Sequence, residues 1–175
     1  MRLDFLGNTV STDRDATLAA VDDFVEGILA YETRAENIVG AAEADPESCL
    51  ANAYAGILWM QLEAPDAPQR AARYLSASER QATGASEREQ WTTAFLRAWS
   101  DDDVPRALEI AERIETGYPT DLAIAKLHQY LDFNRGDFPA MLRTALRVRD
   151  ANKDVAYIHG MTAFAYEQCH LLDEA

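Results

Sequence analysis

The stretch SEREQWTTAFLRAWSDDDVPRALEIAERIETGYPT, residues 86–120, contains one complete helix–turn–helix unit. Apolar residues at helical spacing from Trp91 to Ala98 predict its first helix. The acidic run 101–103, followed by Pro105, predicts a turn and the capped start of a second helix, which a glycine and a proline then end. Hairpins of this kind are the units of tetratricopeptide repeats.

The remaining sequence repeats this alternation of amphipathic helices and turn signals. We expect helices at about 15–31, 33–44, 47–62, 67–83, 86–100, 104–116 and 154–170, and two more on either side of an Arg135–Asp137 turn. Small residues in the third helix, such as Ala55 and Gly56, indicate the close approach of another helix. Residues 1–12 carry no helical pattern and are expected to be irregular.

The spacing of the hairpins is nearly constant. The small residues that open each second helix lie 33 to 36 residues apart, and they are Ala35, Ala71, Ala107, Ala140 and Ala175. Because an unrelated helical bundle has no reason to keep one period, this register predicts an all-α, tetratricopeptide-like right-handed solenoid of antiparallel helix hairpins. The predicted organisation is a lead-in, 1–14, and a single repeat domain, 15–175, that stops inside its fifth hairpin.

The last predicted helix has an apolar face, built from Tyr157, Met161 and Phe164, with no partner helix to cover it. A solenoid needs a polar cap on its final repeat. We therefore expect the native chain to continue past Ala175, and we keep homo-oligomerisation through this helix as the alternative.

Composition and charge narrow the possible partners. The net charge of -14 disfavours nucleic acid and anionic lipid. No apolar run is long enough to cross a membrane and the N-terminus lacks a secretory pattern, so a cytoplasmic location is predicted. Cys49 and Cys169 have no C-x-x-C partner and are interpreted as separate buried thiols. Only two basic residues are lysines, which is typical of a GC-rich, bacterial genome.

Several short motifs make the chain resemble the tetratricopeptide repeat protein 38 family. They are D-x-x-G-x-x-x-S-T in residues 4–12, ADP at 44–46, REQ at 88–90, YPTD at 118–121, and G-M-x-A-F at 160–164 followed by D-E-A. The resemblance covers nearly everything from Asp4 onward, and it implies a helical repeat scaffold without any catalytic residue. Members of that family are about twice this long, so the chain looks like an N-terminal half. A short linker around Pro65–Ala67 departs from the family pattern.

The sequence contains no phosphate-binding glycine loop and no G-x-S-x-G nucleophile motif. His159, Glu167 and His170 share one helical face, but His159 and Glu167 are about 12 Å apart along the axis, too far for one metal ion. His128 is interpreted as a core or groove histidine with a hydrogen bond. We interpret the arginines at 143, 147 and 149 as a solvated outer face. Taken together, these motifs predict no metal site, no cofactor and no catalytic residue.

A concave groove lined by the first helix of each hairpin is the remaining candidate site, and any of its residues could instead be core between repeats. Its predicted residues are Glu89, Thr92, Leu96, Trp99, Gln129, Asp132, Phe133, Tyr157, Phe164 and Glu167. Aromatic side chains mixed with acids and amides suit a protein or peptide partner, in particular a basic segment. The predicted function is therefore a binding and assembly scaffold. The alternative is the N-terminal wall of an enzyme whose active site lies beyond this segment.

Overall fold

The computed structural model describes residues 1–175, and its architecture is almost entirely helical. Nine α-helices follow one another: α1 (Asp15–Ala30), α2 (Asn37–Ala44), α3 (Cys49–Gln61), α4 (Ala67–Gln81), α5 (Glu87–Ser100), α6 (Val104–Gly117), α7 (Leu122–Asn134), α8 (Phe138–Arg149) and α9 (Ala156–Gln168). Short 3-10 turns lie at Thr33–Glu36, Ala82–Gly84 and Asp150–Asn152. The all-helical class and the nine predicted helices are confirmed. No helix has the length and apolar character needed to cross a bilayer.

The lead-in was expected to be irregular, and that prediction is wrong. It contains two short antiparallel strands, β1 (Arg2–Leu3) and β2 (Thr9–Val10). Asp4 holds the turn between them, because its Oδ1 accepts the N–H groups of Leu6 (3.1 Å) and Asn8 (2.7 Å). Gly7 has a φ of +83°, a left-handed conformation that favours glycine. The strands escaped prediction because they are only two residues long.

The chain divides into two compact units, Met1–Ile110 and Ala111–Ala175, with the boundary inside α6. In unit 1, α3 is central and packs against α1, α2, α4 and α5. The predicted close approach is confirmed at Gly56, where an added Cβ would lie 2.5 Å from Leu96 of α5. Phe24 of α1 stacks on Tyr54 of α3 with ring centroids 4.3 Å apart.

Capping side chains start several helices at the positions that the sequence indicates. Ser86 caps α5 in a capping box with Glu89. Asp103 Oδ1 accepts the N–H of Arg106 at 3.1 Å, which confirms that the acidic run caps α6. In contrast, α1 begins after Arg14 without a side-chain cap.

Unit 2 comprises the end of α6 with α7, α8 and α9. Asp121 caps α7 and Asp137 caps α8, each by accepting a backbone N–H three residues later. Gln129 of α7 donates from Nε2 to the carbonyls of Met141 (3.0 Å) and Met161 (3.4 Å), so one amide links α7 to both following helices. These bonds fix the relative positions of the three helices that carry the aromatic residues described below.

Candidate functional site

Glu89, on the first turn of α5, joins the lead-in to the helical part of unit 1. Its carboxylate accepts the N–H (2.9 Å) and hydroxyl (2.5 Å) of Ser11. The same carboxylate accepts the N–H and hydroxyl of Ser86, both at 2.8 Å. Glu89 is 1% exposed, and all four bonds are partly buried because Ser11 and Ser86 are themselves half-buried. This side chain is therefore occupied by the fold.

Arg88 is also buried and reaches the strand pair from the other side. Its Nη2 donates to the carbonyl of Thr9 at 2.8 Å and lies 3.8 Å from the carboxylate of Asp4. The D-x-x-G-x-x-x-S-T lead-in and the REQ stretch thus meet in space, and the polar side chains of both motifs hold the lead-in on α5.

Beside this junction lies an open pocket of about 490 Å³. Acidic and hydroxyl side chains line much of it, among them Ser11, Asp13, Asp45, Glu47, Ser48 and Ser86. Asp45 is partly satisfied, because it accepts the Thr17 hydroxyl at 2.6 Å and Arg14 lies 3.9 Å away. The pocket is polar and acidic, so it is unsuited to phosphate groups.

Three phenylalanines from three helices of unit 2 form an exposed cluster that we call the aromatic surface. Phe133 lies near the end of α7, Phe138 opens α8, and Phe164 lies on α9. Ring centroids are 6.0 Å apart for Phe133 and Phe138, and 5.6 Å for Phe133 and Phe164. Phe133 is 41% exposed and Phe164 is 38% exposed. Exposed aromatic rings in contact with one another are typical of surfaces that bind other proteins.

Polar side chains of α6, α7 and α8 form a second cluster in unit 2, whose centre is buried. His128 Nδ1 is 2.6 Å from Glu115 Oε1. The other oxygen of Glu115 pairs with Arg147, whose second nitrogen is 2.8 Å from Glu112. The expected hydrogen-bonded core histidine at 128 is confirmed. Arg143, Arg147 and Arg149 are exposed, as expected, and Arg147 is in addition ion-paired with these two carboxylates of α6.

Asp132 completes the cluster one helical turn after His128. Its Oδ2 lies 3.5 Å from His128 Nε2 and makes no hydrogen bond, although the residue is only 1% exposed. Burial raises the pKa of the Asp132 carboxyl above its ordinary value, and the nearby His128 ring acts in the opposite direction. His128 is 6% exposed and Glu115 and Asp132 are each 1% exposed, so the centre of this cluster is buried.

The structure places the ten predicted groove residues in very different environments. Six are buried: Glu89, Thr92, Leu96, Trp99, Gln129 and Asp132. Phe133, Phe164 and Glu167 are exposed and Tyr157 is half-buried, all four in unit 2. The exposed members include two of the three rings of the aromatic surface. That any of the ten contacts a ligand stays a prediction.

The remaining histidines, cysteines and acidic residues considered in the sequence analysis do not form a common site. His159 Nε2 lies 3.0 Å from the carbonyl of Lys153, and no three His, Cys, Asp or Glu side chains are arranged to hold a metal ion. Both cysteines are free thiols. Cys49 is buried as expected, whereas Cys169 is only half-buried.

Sequence reasoning did not identify Phe138, Glu115 or Ser11 as members of these sites. Phe138 follows the turn at 135–137, and a phenylalanine there has no helical periodicity of its own to mark it. Glu115 and Ser11 act through partners 13 and 78 residues away. Comparisons with protein families, with curated proteins and with solved structures found no match for this chain.

Proposed function

We propose that this chain is a helical-repeat scaffold that binds a peptide segment of another protein, and that the aromatic surface is its docking point. The observation that carries the proposal is the contact between Phe133, Phe138 and Phe164, with two of the rings about 40% exposed. Aromatic residues, phenylalanine among them, are enriched at protein interfaces, where a few side chains carry most of the binding free energy.

The charge of the surroundings favours a segment that combines an apolar side chain with lysine or arginine. Glu167 is exposed and lies one turn from Phe164 on α9. The chain as a whole carries a net charge of -14, which attracts basic segments and slows association with acidic ones.

The repeat architecture belongs to the same proposal. A solenoid of five hairpins is supported by the 33-to-36-residue register and by the regular succession of helices separated by short turns. Membership of the tetratricopeptide repeat protein 38 family is likewise proposed. Its support is that the lead-in and REQ motifs are in contact through Glu89 and Arg88.

The test is selection of a random peptide library on the immobilised chain, followed by affinity measurements on variants. We expect the selected peptides to contain an aromatic or leucine residue beside a basic one. Phe133→Ala and Phe164→Ala are expected to weaken binding at least tenfold. Leu146→Ala is the matched control, because Leu146 is 37% exposed on α8 and lies about two helical turns after Phe138.

Equal binding by all three variants would place the docking point elsewhere, and a library that yields no binder would refute the proposal. Light scattering on the free chain tests the alternative that the chain forms a homo-oligomer through this surface. A concentration-dependent dimer that Phe164→Ala abolishes would show that this surface binds a second copy of the chain.

A further inference from the structure

His128 lies between the carboxylates of Glu115 and Asp132, and the hydrogen bonds possible there depend on how many protons the three groups carry. Glu115 is ion-paired with Arg147, so its carboxylate accepts and His128 Nδ1 must donate across the 2.6 Å contact. In a neutral imidazole, Nε2 then carries a lone pair, and it faces Asp132 Oδ2 at 3.5 Å. Two acceptors would oppose each other in a site closed to water. One additional proton on either atom removes that conflict.

None of the charged groups around this pair donates a hydrogen bond to Asp132 Oδ2. They are Glu112 and Glu115 on α6, Arg147 on α8, and Arg135 and Asp137 in the α7–α8 turn. The inward residues of α9 are Ile158, Met161, Thr162 and Ala165, none of which is charged. Arg147 is already shared between two glutamates.

Asp132 also holds the backbone of the turn that carries two rings of the aromatic surface. Its carbonyl accepts the N–H of Asp137 at 2.9 Å and the N–H of Arg135 at 3.2 Å. Phe133 is the next residue along the chain, and Phe138 follows the turn. A movement of Asp132 toward water would therefore shift both rings.

We propose that His128 and Asp132 share one dissociable proton, and that its loss loosens the α7–α8 turn and so disorders the aromatic surface. The consequence for peptide affinity rests on the function proposed above, whereas the proton and the turn are tested without any peptide. The low-pH form is the ordered one. Raising the pH leaves a buried carboxylate opposite a lone pair, which favours opening of the turn.

The primary test is an NMR titration of the full chain between pH 4 and pH 9. We expect the ring signals of His128 and the backbone amides of Arg135 and Asp137 to shift with one common midpoint. A His128 ring that does not titrate, or turn amides that do not follow it, would overturn the proposal.

Asp132→Asn provides the matched variant, because the amide can donate to Nε2 without an additional proton. We expect the turn amides of this variant to be insensitive to pH. The unfolding constant of the wild-type chain, relative to the variant, should rise at least tenfold from pH 5 to pH 8. Asp154→Asn, an exposed carboxylate with no hydrogen bond, should keep the wild-type profile.

Peptide binding separates the two proposals. If a selected peptide binds, its affinity for the wild-type chain should fall from pH 5 to pH 8, and its affinity for Asp132→Asn should change less. If no peptide binds at any pH, the proposed function fails while the titration still decides the shared proton. An identical pH profile of stability in the wild-type chain and Asp132→Asn would refute the proton proposal.

Discussion

Replacing Glu89 by alanine tests whether this buried carboxylate fastens the lead-in to α5. In the native chain it accepts four hydrogen bonds, two from Ser11 and two from Ser86. The substitution removes the Glu89 half of the capping box and deprives the backbone N–H groups of Ser11 and Ser86 of their charged acceptor, at about 1 kcal/mol each. We therefore expect the free energy of unfolding to fall by about 2 kcal/mol.

Urea denaturation followed by tryptophan fluorescence is the appropriate assay. Trp59, Trp91 and Trp99 all lie in unit 1, so their emission reports the unfolding of the unit that contains Glu89. The matched control is Glu87→Ala, an exposed glutamate in the same first turn, for which only about 0.5 kcal/mol is expected from the helix dipole. Equal stability of the two variants would refute the assigned role of Glu89, and would leave it free to contact a ligand.

Two further predictions concern the core of unit 1. Gly27→Ala should destabilise the chain by about 2 kcal/mol, because the new Cβ would lie 2.5 Å from the backbone nitrogen of Ala35. Gly40 has open space around it, so Gly40→Ala should instead stabilise the chain by up to about 1 kcal/mol in the same urea assay. Burial raises the pKa of the Cys49 thiol, so at pH 8 a thiol reagent should modify Cys169 rapidly and Cys49 only after unfolding; rapid modification of both would show that Cys49 is accessible.

The helices and their caps could be predicted from the sequence because local interactions determine them. Pro105, Gly136 and the capping residues Ser86, Asp103 and Asp137 act on neighbours within three or four residues, and each marks a boundary close to where the structure has it. Periodicity also indicated the close helix approach at Gly56. These features need no knowledge of the tertiary fold.

Contacts between residues far apart in the sequence escaped prediction, because local patterns carry no information about them. Glu89 was proposed as a groove residue because helical periodicity places it on an inner face, yet its partner Ser11 is 78 residues away. The strand pair brings Ser11 there, and nothing local to Glu89 reveals it. The ion pairs of the exposed Arg147 also escaped prediction, because its partners, Glu112 and Glu115, lie on another helix.

The same limit applies to the candidate site. Periodicity selected Phe133 and Phe164 but also selected Gln129 and Asp132, which are buried. An inner helical face contains both core and surface positions, and only the packing of α8 and α9 separates them. Phe138 joins the surface through the turn geometry, which periodicity does not describe.

The most direct test of the proposed binding function is NMR mapping of a selected peptide on the isotope-labelled chain. We predict that the largest shift changes occur around Phe133, Phe138, Phe164 and Glu167, and that they disappear in Phe164→Ala. Shift changes confined to other residues, or no changes at saturating peptide, would contradict the account.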